Sequence, residues 1–266
     1  MHLDSSAAAR LINDIQDCHI LVVGDLMLDR FVDGAVTRIS PEAPVPVLSQ
    51  STSQQMPGGA ANVACNLAQL GARVTLIGAC GDDATATDLA AELQHFPRIT
   101  FIPVTVAGRP TSLKTRYRAS GQQILRVDDE VSIPISVSAQ AELSDRVNAV
   151  LDTADMLILS DYAKGCLPLT LIRSLIDAAR AAKKLIVADP KLADLSVYRD
   201  VDVLTPNLQE LANAAGTSLT ELDAIGATAA RLAKTHNIGT IMTTLSARGI
   251  LASQGDGTQF HAPART

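Results

Sequence analysis

Short, almost purely apolar runs recur along the sequence, each about the length of one β-strand: residues 18–24 (CHILVVG), 73–79 (RVTLIGA), 156–162 (MLILSDY), 184–190 (KLIVADP), 201–206 (VDVLTP) and 239–244 (GTIMTT). A strand with one face in water alternates apolar with polar residues. Unbroken apolarity calls for cover on both faces, the situation of a parallel sheet between helices. The intervening segments carry helical stripes: Val63, Leu67 and Leu70; Leu143, Val147, Val150 and Leu151; Leu169, Ile172, Leu175 and Ile176; Leu222, Ile225, Ala229 and Leu232. Strand–helix alternation of this kind predicts a doubly wound α/β fold.

Two stretches depart from the alternation. Residues 30–56 and 99–130 are rich in turn residues and read as short strands with polar groups on one face, as in 44–50 (PVPVLSQ), 111–120 (TSLKTRYRAS) and 122–127 (QQILRV). They are expected to form a small antiparallel flap, or lid, over the main sheet, and ordinary edge strands are the alternative. No repeat, low-complexity tract or linker divides the chain, so residues 1–266 are expected to form a single domain. With 47% hydrophobic residues the chain has material for a sizeable core.

Charge and composition narrow the partners. Lys and Arg number 22 against 28 Asp and Glu, a net charge of −6, and aromatics make up 3% with no Trp, which argues against a nucleic-acid partner. The first 17 residues contain acids and no continuous apolar segment, so no secretory signal is expected there. The apolar runs are shorter than the roughly 20 residues a membrane span requires. A soluble, cytoplasmic protein with no membrane partner is therefore expected. Cys18, Cys65, Cys80 and Cys166 form no C-x-x-C pair, so neither a zinc site nor a disulfide framework is indicated.

Four constellations carry candidate chemistry. Pro57-Gly58-Gly59-Ala60-Ala61-Asn62 opens a helix, where glycine lets backbone amides approach a ligand and a helix N-terminus offers free N–H groups. The alternative is a tight turn that packs the helix on the sheet. Asp25 and Asp29 follow the first apolar run, outside the carboxyl end of a strand where open α/β sheets bind ligands, although Asp25 also reads as a turn or capping residue. Asp189-Pro190-Lys191 follows another run, and Asn207-Leu208-Gln209-Glu210 the next. Asn207 and Glu210 lie three apart on one helical turn, a seat for Mg²⁺ held through water and hence for nucleotide phosphates, or simply a capping box. Thr244, Ser246 and Gly249 make a hydroxyl-bearing turn that suits phosphate or ribose, or a hairpin into residues 249–253.

In this order the motifs resemble the ribokinase-like (PfkB) carbohydrate kinase family. The resemblance runs from about residue 18 onward, through Gly24-Asp25 and Asp29, Gly58 to Asn62, Gly71, Gly78 and Gly81, Asp189-Pro190-Lys191, Asn207-x-x-Glu210 and Thr244-x-Ser246-x-x-Gly249. Within the family, residues 38–47 (RISPEAPVPV), Arg109-Pro110-Thr111-x-x-Lys114-x-Arg116 and Gln122-Gln123-x-x-Arg126-x-Asp128 resemble the kinases of D-glycero-β-D-manno-heptose 7-phosphate. The resemblance implies a ribokinase-like sheet with a β lid. It also implies transfer of the ATP γ-phosphoryl group to the anomeric hydroxyl of that sugar, on the way to the lipopolysaccharide core. Asp29, Gly58, Gly59 and Asn62 would hold sugar hydroxyls. Lys114, Arg116 and Arg126 are candidates for the 7-phosphate, because cationic side chains suit a dianion, with a solvated cationic strand face as the alternative. Lys191, Asn207, Leu208, Gln209, Glu210, Thr244, Ser246 and Gly249 would serve ATP, and Glu210 would serve Mg²⁺ through water. Asp161, Lys164 and Gly165 also look typical of the family, without an assigned role.

One departure stands out. Relatives take the acceptor's proton with the Asp of a late Gly-Ala-Gly-Asp segment, whose amides also bind the transferred group. Neither that segment nor its catalytic Asp occurs within the sequence, which ends at Thr266. The 266 residues are therefore expected to bind without appreciable turnover. A non-catalytic sugar-phosphate module, or a kinase for another sugar, stands as the alternative. The strand edges of the flap are expected to pair two copies into a homodimer.

Overall fold

A computed structural model describes residues 5–264. The chain opens with α1 (Ser5–Ile15), β1 (His19–Gly24), β2 (Leu26–Ile39), β3 (Pro46–Gly59), α2 (Ala60–Gln69), β4 (Arg73–Cys80), α3 (Ala84–Leu93) and β5 (Ile99–Thr105). It continues through β6 (Ser112–Ala119), β7 (Gln122–Asp129), α4 (Val137–Leu151), β8 (Met156–Ser160), α5 (Leu169–Ala181), β9 (Leu185–Asp189) and β10 (Val203–Leu204). The last elements are α6 (Leu208–Ala215), α7 (Leu222–Thr235), β11 (Thr240–Thr244), β12 (Ile250–Gln254) and β13 (Gln259–Ala262). Nine strands form one sheet in the order β13-β12-β11-β10-β9-β8-β1-β4-β5. From β11 to β5 all pairs are parallel, and β12 and β13 extend the sheet antiparallel as a hairpin meander.

The six apolar runs all became strands of this sheet, covered on one face throughout and on the other chiefly over β1 and β4. Leu21, Val23, Ile77, Leu157 and Leu159 pack with α4 and α5 in one core that extends over α6 and α7. Ile20, Val22, Val74 and Leu76 face the opposite way and pack with α2 and α3 in a second core. Across β8 to β12 that second face is thinner: Ile158, Val187, Val203, Met242 and Ala252 stay half-buried. The run at 201–206 yields only a two-residue strand, since Pro206 has no N–H to extend the ladder. Cys65, Cys80 and Cys166 are buried and free, and Cys18 is half-buried and free. No helix among the described residues is long and apolar enough to cross a membrane.

The flap is a separate four-stranded sheet in the order β3-β2-β6-β7. Its extent differs from the expectation in two ways. Residues 99–105 belong to the main sheet as β5, pairing parallel with β4, because Val104 enters one core and Ile99 and Phe101 pack against the other. The flap's second excursion therefore begins near residue 112. In addition, β2 pairs with β6 in parallel, so an inner parallel pair lies between two antiparallel pairs. The long strands β2 and β3 begin and end in the body of the molecule: Leu26, Met27, Leu28, Gly58 and Gly59 are buried, and the sheet leaves the core only beyond them.

Candidate active site

The chain runs from β1 to β4 and β5 on one side and to β8 through β11 on the other, so strand order reverses between β1 and β8. The crevice beyond the carboxyl ends of strands at such a point is where open α/β sheets bind ligands. Asp25, the first residue beyond β1, is only 2% exposed. Its carboxylate accepts the backbone N–H groups of Tyr162 (2.7 Å), Lys164 (3.1 Å) and Cys166 (3.0 Å), fastening the loop after β8 under the crevice. Asp161, also buried, accepts the N–H of Ala163 at 2.7 Å and the phenol O–H of Tyr198 at 3.1 Å. Burial, reinforced by the nearby charge of Asp25, pushes the Asp161 carboxyl above the usual carboxylate range.

On one bank of the crevice stands the flap root. Gly58 and Gly59 end β3 opposite Met27 and Leu26 of β2, and Gly59 caps α2 at φ +56°. A β-carbon on Gly58 would lie 2.6 Å from Oδ2 of Asp29, and one on Gly59 would lie 2.6 Å from the carbonyl oxygen of Asp25. Only glycine allows the two strands to close around the Asp29 carboxylate and then turn into the helix. Among the described residues no side chain caps the α2 N-terminus, and Asn62 is exposed in its first turn.

The flap cations expected to meet a phosphate are all ion-paired. Arg116 reaches Oδ1 of Asp29 at 2.5 Å, Lys114 contacts Asp128 at 3.3 Å and Glu130 at 2.6 Å, and Arg126 contacts Asp128 at 2.9 Å. Two further groups, around Arg118 and Glu130, adjoin this site, and neither of those two residues was expected there from the sequence. Arg118 binds Asp33 bidentately at 2.8 and 2.6 Å, and with Arg116 it flanks the Phe31 ring, at 4.7 and 5.3 Å from its centroid. The signal for Arg118 was present: successive alternate residues of a strand share a face, and Lys114, Arg116 and Arg118 are two apart. Phe31, Gln54, Gln55, Met56 and Arg118 line a cavity of about 210 Å³. The second group, Glu130 with Lys164 at 2.6 Å, joins residues 34 apart, for which no local signal exists.

The other bank carries the residues expected to serve a nucleotide. Asn207 and Glu210 form a complete capping box at the start of α6: the Asn207 side chain accepts the Glu210 N–H at 2.9 Å, and Glu210 Oε2 accepts the Asn207 N–H at 2.8 Å. The capping reading is thus realised, and it leaves Glu210 Oε1 for the Lys191 ammonium at 2.5 Å. Lys191 also lies 3.7 Å from Asp189 and 5.7 Å from the centre of the Tyr162 ring. Burial works against the Lys191 charge, but Glu210 and Asp189 outweigh it and raise its pKa. Burial raises the Asp189 carboxyl. Leu208 and Gln209 line a hollow of about 520 Å³ along α6. Thr244 lies beside Asn207 in a parallel bridge, and its N–H donates to the Pro206 carbonyl at 3.0 Å. Ser246 starts a 3₁₀ turn that ends at Gly249 and leads into β12, so the hairpin reading of this turn is also realised.

Comparisons with known proteins decide the family. The sequence model of the pfkB family carbohydrate kinases matches residues 18–266. The chain belongs to this family. Among similar relatives, the "Bifunctional protein HldE" of Azorhizobium caulinodans is 41% identical over 255 residues, covering 96% of this chain and 53% of that protein. The protein of the same name from Hyphomonas neptunium is 40% identical over 261 residues, covering 98% of this chain and 54% of that protein. The chain spans about half the length of these relatives. The pfkB kinase fold is shared with phosphofructokinase-2 from Escherichia coli in complex with fructose-6-phosphate, at a TM-score of 0.76 and 21% identity over 92% of this chain and 79% of that one. Arabidopsis thaliana ribokinase complexed with ribose and ATP matches at a TM-score of 0.69 and 18% identity, over 92% of this chain and 77% of that one. The chain shares the ribokinase-like sheet and lid of these structures.

Proposed function

We propose that this chain carries the sugar and nucleotide sites of a kinase for D-glycero-β-D-manno-heptose 7-phosphate, acting on the anomeric hydroxyl in the cytoplasmic synthesis of the lipopolysaccharide core. The observation that supports it best is the Asp29 carboxylate enclosed by Gly58, held by Arg116 and set at the strand-order reversal. A carboxylate accepts from two neighbouring sugar hydroxyls at once, and the exposed Asn62 can donate and accept beside it. The guanidinium of Arg116, already turned toward Asp29, is then free to be shared with an anionic substituent of the same sugar.

On the opposite bank, Asp189 and Glu210 flank Lys191, and all three stand where nucleotide phosphates would lie. One or two carboxylates with water suit Mg²⁺, so these residues fit a hydrated ion that arrives with ATP. Bound Mg·ATP supplies the phosphoryl group and offsets its charge. Lys191 would hold the phosphates, Asn207 and the first turn of α6 would present amides to them, and Thr244, Ser246 and Gly249 would border the nucleoside. The Gly-Ala-Gly-Asp segment that carries the family's base is not among these 266 residues, so the reading concerns how they bind the two substrates.

Titration calorimetry tests the sugar site. Asp29→Asn is expected to weaken heptose 7-phosphate about 100-fold, the loss of two hydrogen bonds to a charged group, while leaving nucleotide affinity unchanged. Equal binding by both proteins would reject the site.

The flap's outer side supports a homodimer. Val36, Val45, Pro46, Leu48, Tyr117, Ile124 and Leu125 line an apolar hollow of about 370 Å³, next to the open edges of β3 and β7. Pairing with the same face of a second copy would cover both the hollow and an edge. A sedimentation mass of one chain at micromolar concentration would reject it.

A further inference from the structure

We propose that Glu130 is a positioning residue of the sugar-phosphate site, and that it ties Lys164 to Lys114 as a two-lysine seat for the phosphate of the substrate. The proposal rests on the sugar-phosphate reading above and adds two residues to it. Glu130 follows β7, where the flap rejoins the body, and its two oxygens bind different elements. Oε2 accepts from Lys114 of the flap strand β6 at 2.6 Å, and Oε1 accepts from Lys164 of the loop after β8 at 2.6 Å. The three side chains are only 15%, 18% and 21% exposed for Lys114, Glu130 and Lys164, so this is no solvated surface pair. Lys114 lies directly opposite Asp29 in the β2–β6 register. Partners in register on adjacent strands share a face and sit about 4.8 Å apart, so Lys114 borders the carboxylate that would hold the sugar.

The seat carries surplus positive charge. Lys114, Lys164 and Arg126 are three cations against the two carboxylates Glu130 and Asp128. Despite burial, hydrogen bonds from both lysines hold the Glu130 carboxyl below its ordinary range, so it stays ionised and keeps both ammonium groups in place. Two ammonium groups without it would repel each other and their long side chains would regain rotamer freedom, so a phosphate would have to order them on binding.

The backbone around this triad is fixed independently of Glu130. The Lys164 N–H binds Asp25, and its carbonyl accepts from the Arg109 guanidinium, which also binds the carbonyls of Ile133 at 2.8 Å and Val131 at 3.4 Å. Replacing Glu130 therefore frees Lys164 and leaves Lys114 with Asp128 alone, while the loop and the flap root stay attached.

The experiment is calorimetric titration of the full chain, as wild type, Glu130→Gln, Glu130→Asp, Lys164→Met and the Glu130→Gln/Lys164→Met double variant. The ligands are heptose 7-phosphate, the unphosphorylated heptose, and a non-hydrolysable ATP analogue with Mg²⁺. Glu130→Gln and Lys164→Met are each expected to weaken the sugar phosphate about tenfold, the size of one charge-assisted hydrogen bond. The unphosphorylated sugar and the nucleotide should change less than about twofold on the same scale. The double variant should be no weaker than the weaker single, and Glu130→Asp should recover part of the loss. An unchanged preference for the phosphorylated sugar in both single variants would overturn the proposal. So would an equal loss for the unphosphorylated sugar, which would mean a collapsed flap. Wild type that binds no heptose 7-phosphate would instead overturn the substrate reading on which the proposal stands.

Discussion

On the flap bank of the crevice, charged groups find partners both within the β6–β7 hairpin and in remote parts of the chain, whereas on the nucleotide bank they are held by near neighbours alone. Arg116 and Asp29 are 87 residues apart, Arg118 and Asp33 are 85 apart, and Lys164 and Glu130 are 34 apart. Across the crevice, Asn207 and Glu210 are 3 apart and Lys191 and Glu210 are 19 apart. A capping box forms wherever the helix starts. The flap pairs exist only once β2 and β6 lie side by side and the loop after β8 is in place. The flap bank should therefore open before the nucleotide bank in local unfolding.

The largest expected effect comes from the group that joins the banks. Asp25→Ala leaves three N–H groups of the loop after β8 without their acceptor. At roughly 1–3 kcal/mol for each unsatisfied buried group, a loss of several kcal/mol is expected in denaturant titrations. A change below about 1 kcal/mol would show that the loop does not depend on Asp25.

The flap bank and the floor of the crevice should also part in their response to pH. Glu130 is depressed in the folded protein, so its contribution is complete above its ordinary value near 4.5 and is lost as pH falls through the folded value. Asp161 is raised, so its contribution is complete below its ordinary value near 3.8 and is lost as pH rises through the folded value. The destabilisation by Glu130→Gln should fade on acidification, while Asp161→Asn should gain on the wild type as pH rises. Stability curves of the two variants that run parallel from acid to neutral pH would contradict this contrast.

The smallest effect belongs to the rim. The Arg126 side chain is 50% exposed and, among the described residues, is ion-paired with Asp128 alone, so Arg126→Ala is expected to cost less than about 1 kcal/mol of stability. A larger loss in urea titrations would mean that the flap leans on its rim.

The same difference of range explains what could be read in advance. Unbroken runs such as 18–24 and 73–79 gave the parallel sheet, because double-sided burial leaves its mark on consecutive residues. The helix at Asn207 and the turn at Gly58-Gly59 were equally legible from local chemistry. Residues 99–105 read as part of the flap because they open a stretch rich in turn and polar residues, whereas parallel pairing to β4 is a tertiary decision. Ion pairs such as Glu130 with Lys164, and the three N–H groups on Asp25, leave no periodic trace. Only the fold brings those groups together.

The central claim is that the crevice takes a sugar phosphate on the flap bank and a nucleotide on the other. It is tested most directly by titrating the wild-type chain with heptose 7-phosphate, with and without a saturating non-hydrolysable ATP analogue and Mg²⁺. The expected result is saturable one-to-one binding of the sugar phosphate in both conditions, with the nucleotide site still open to its own titration. Absence of sugar-phosphate binding in both, or displacement of one ligand by the other from a single site, would contradict it.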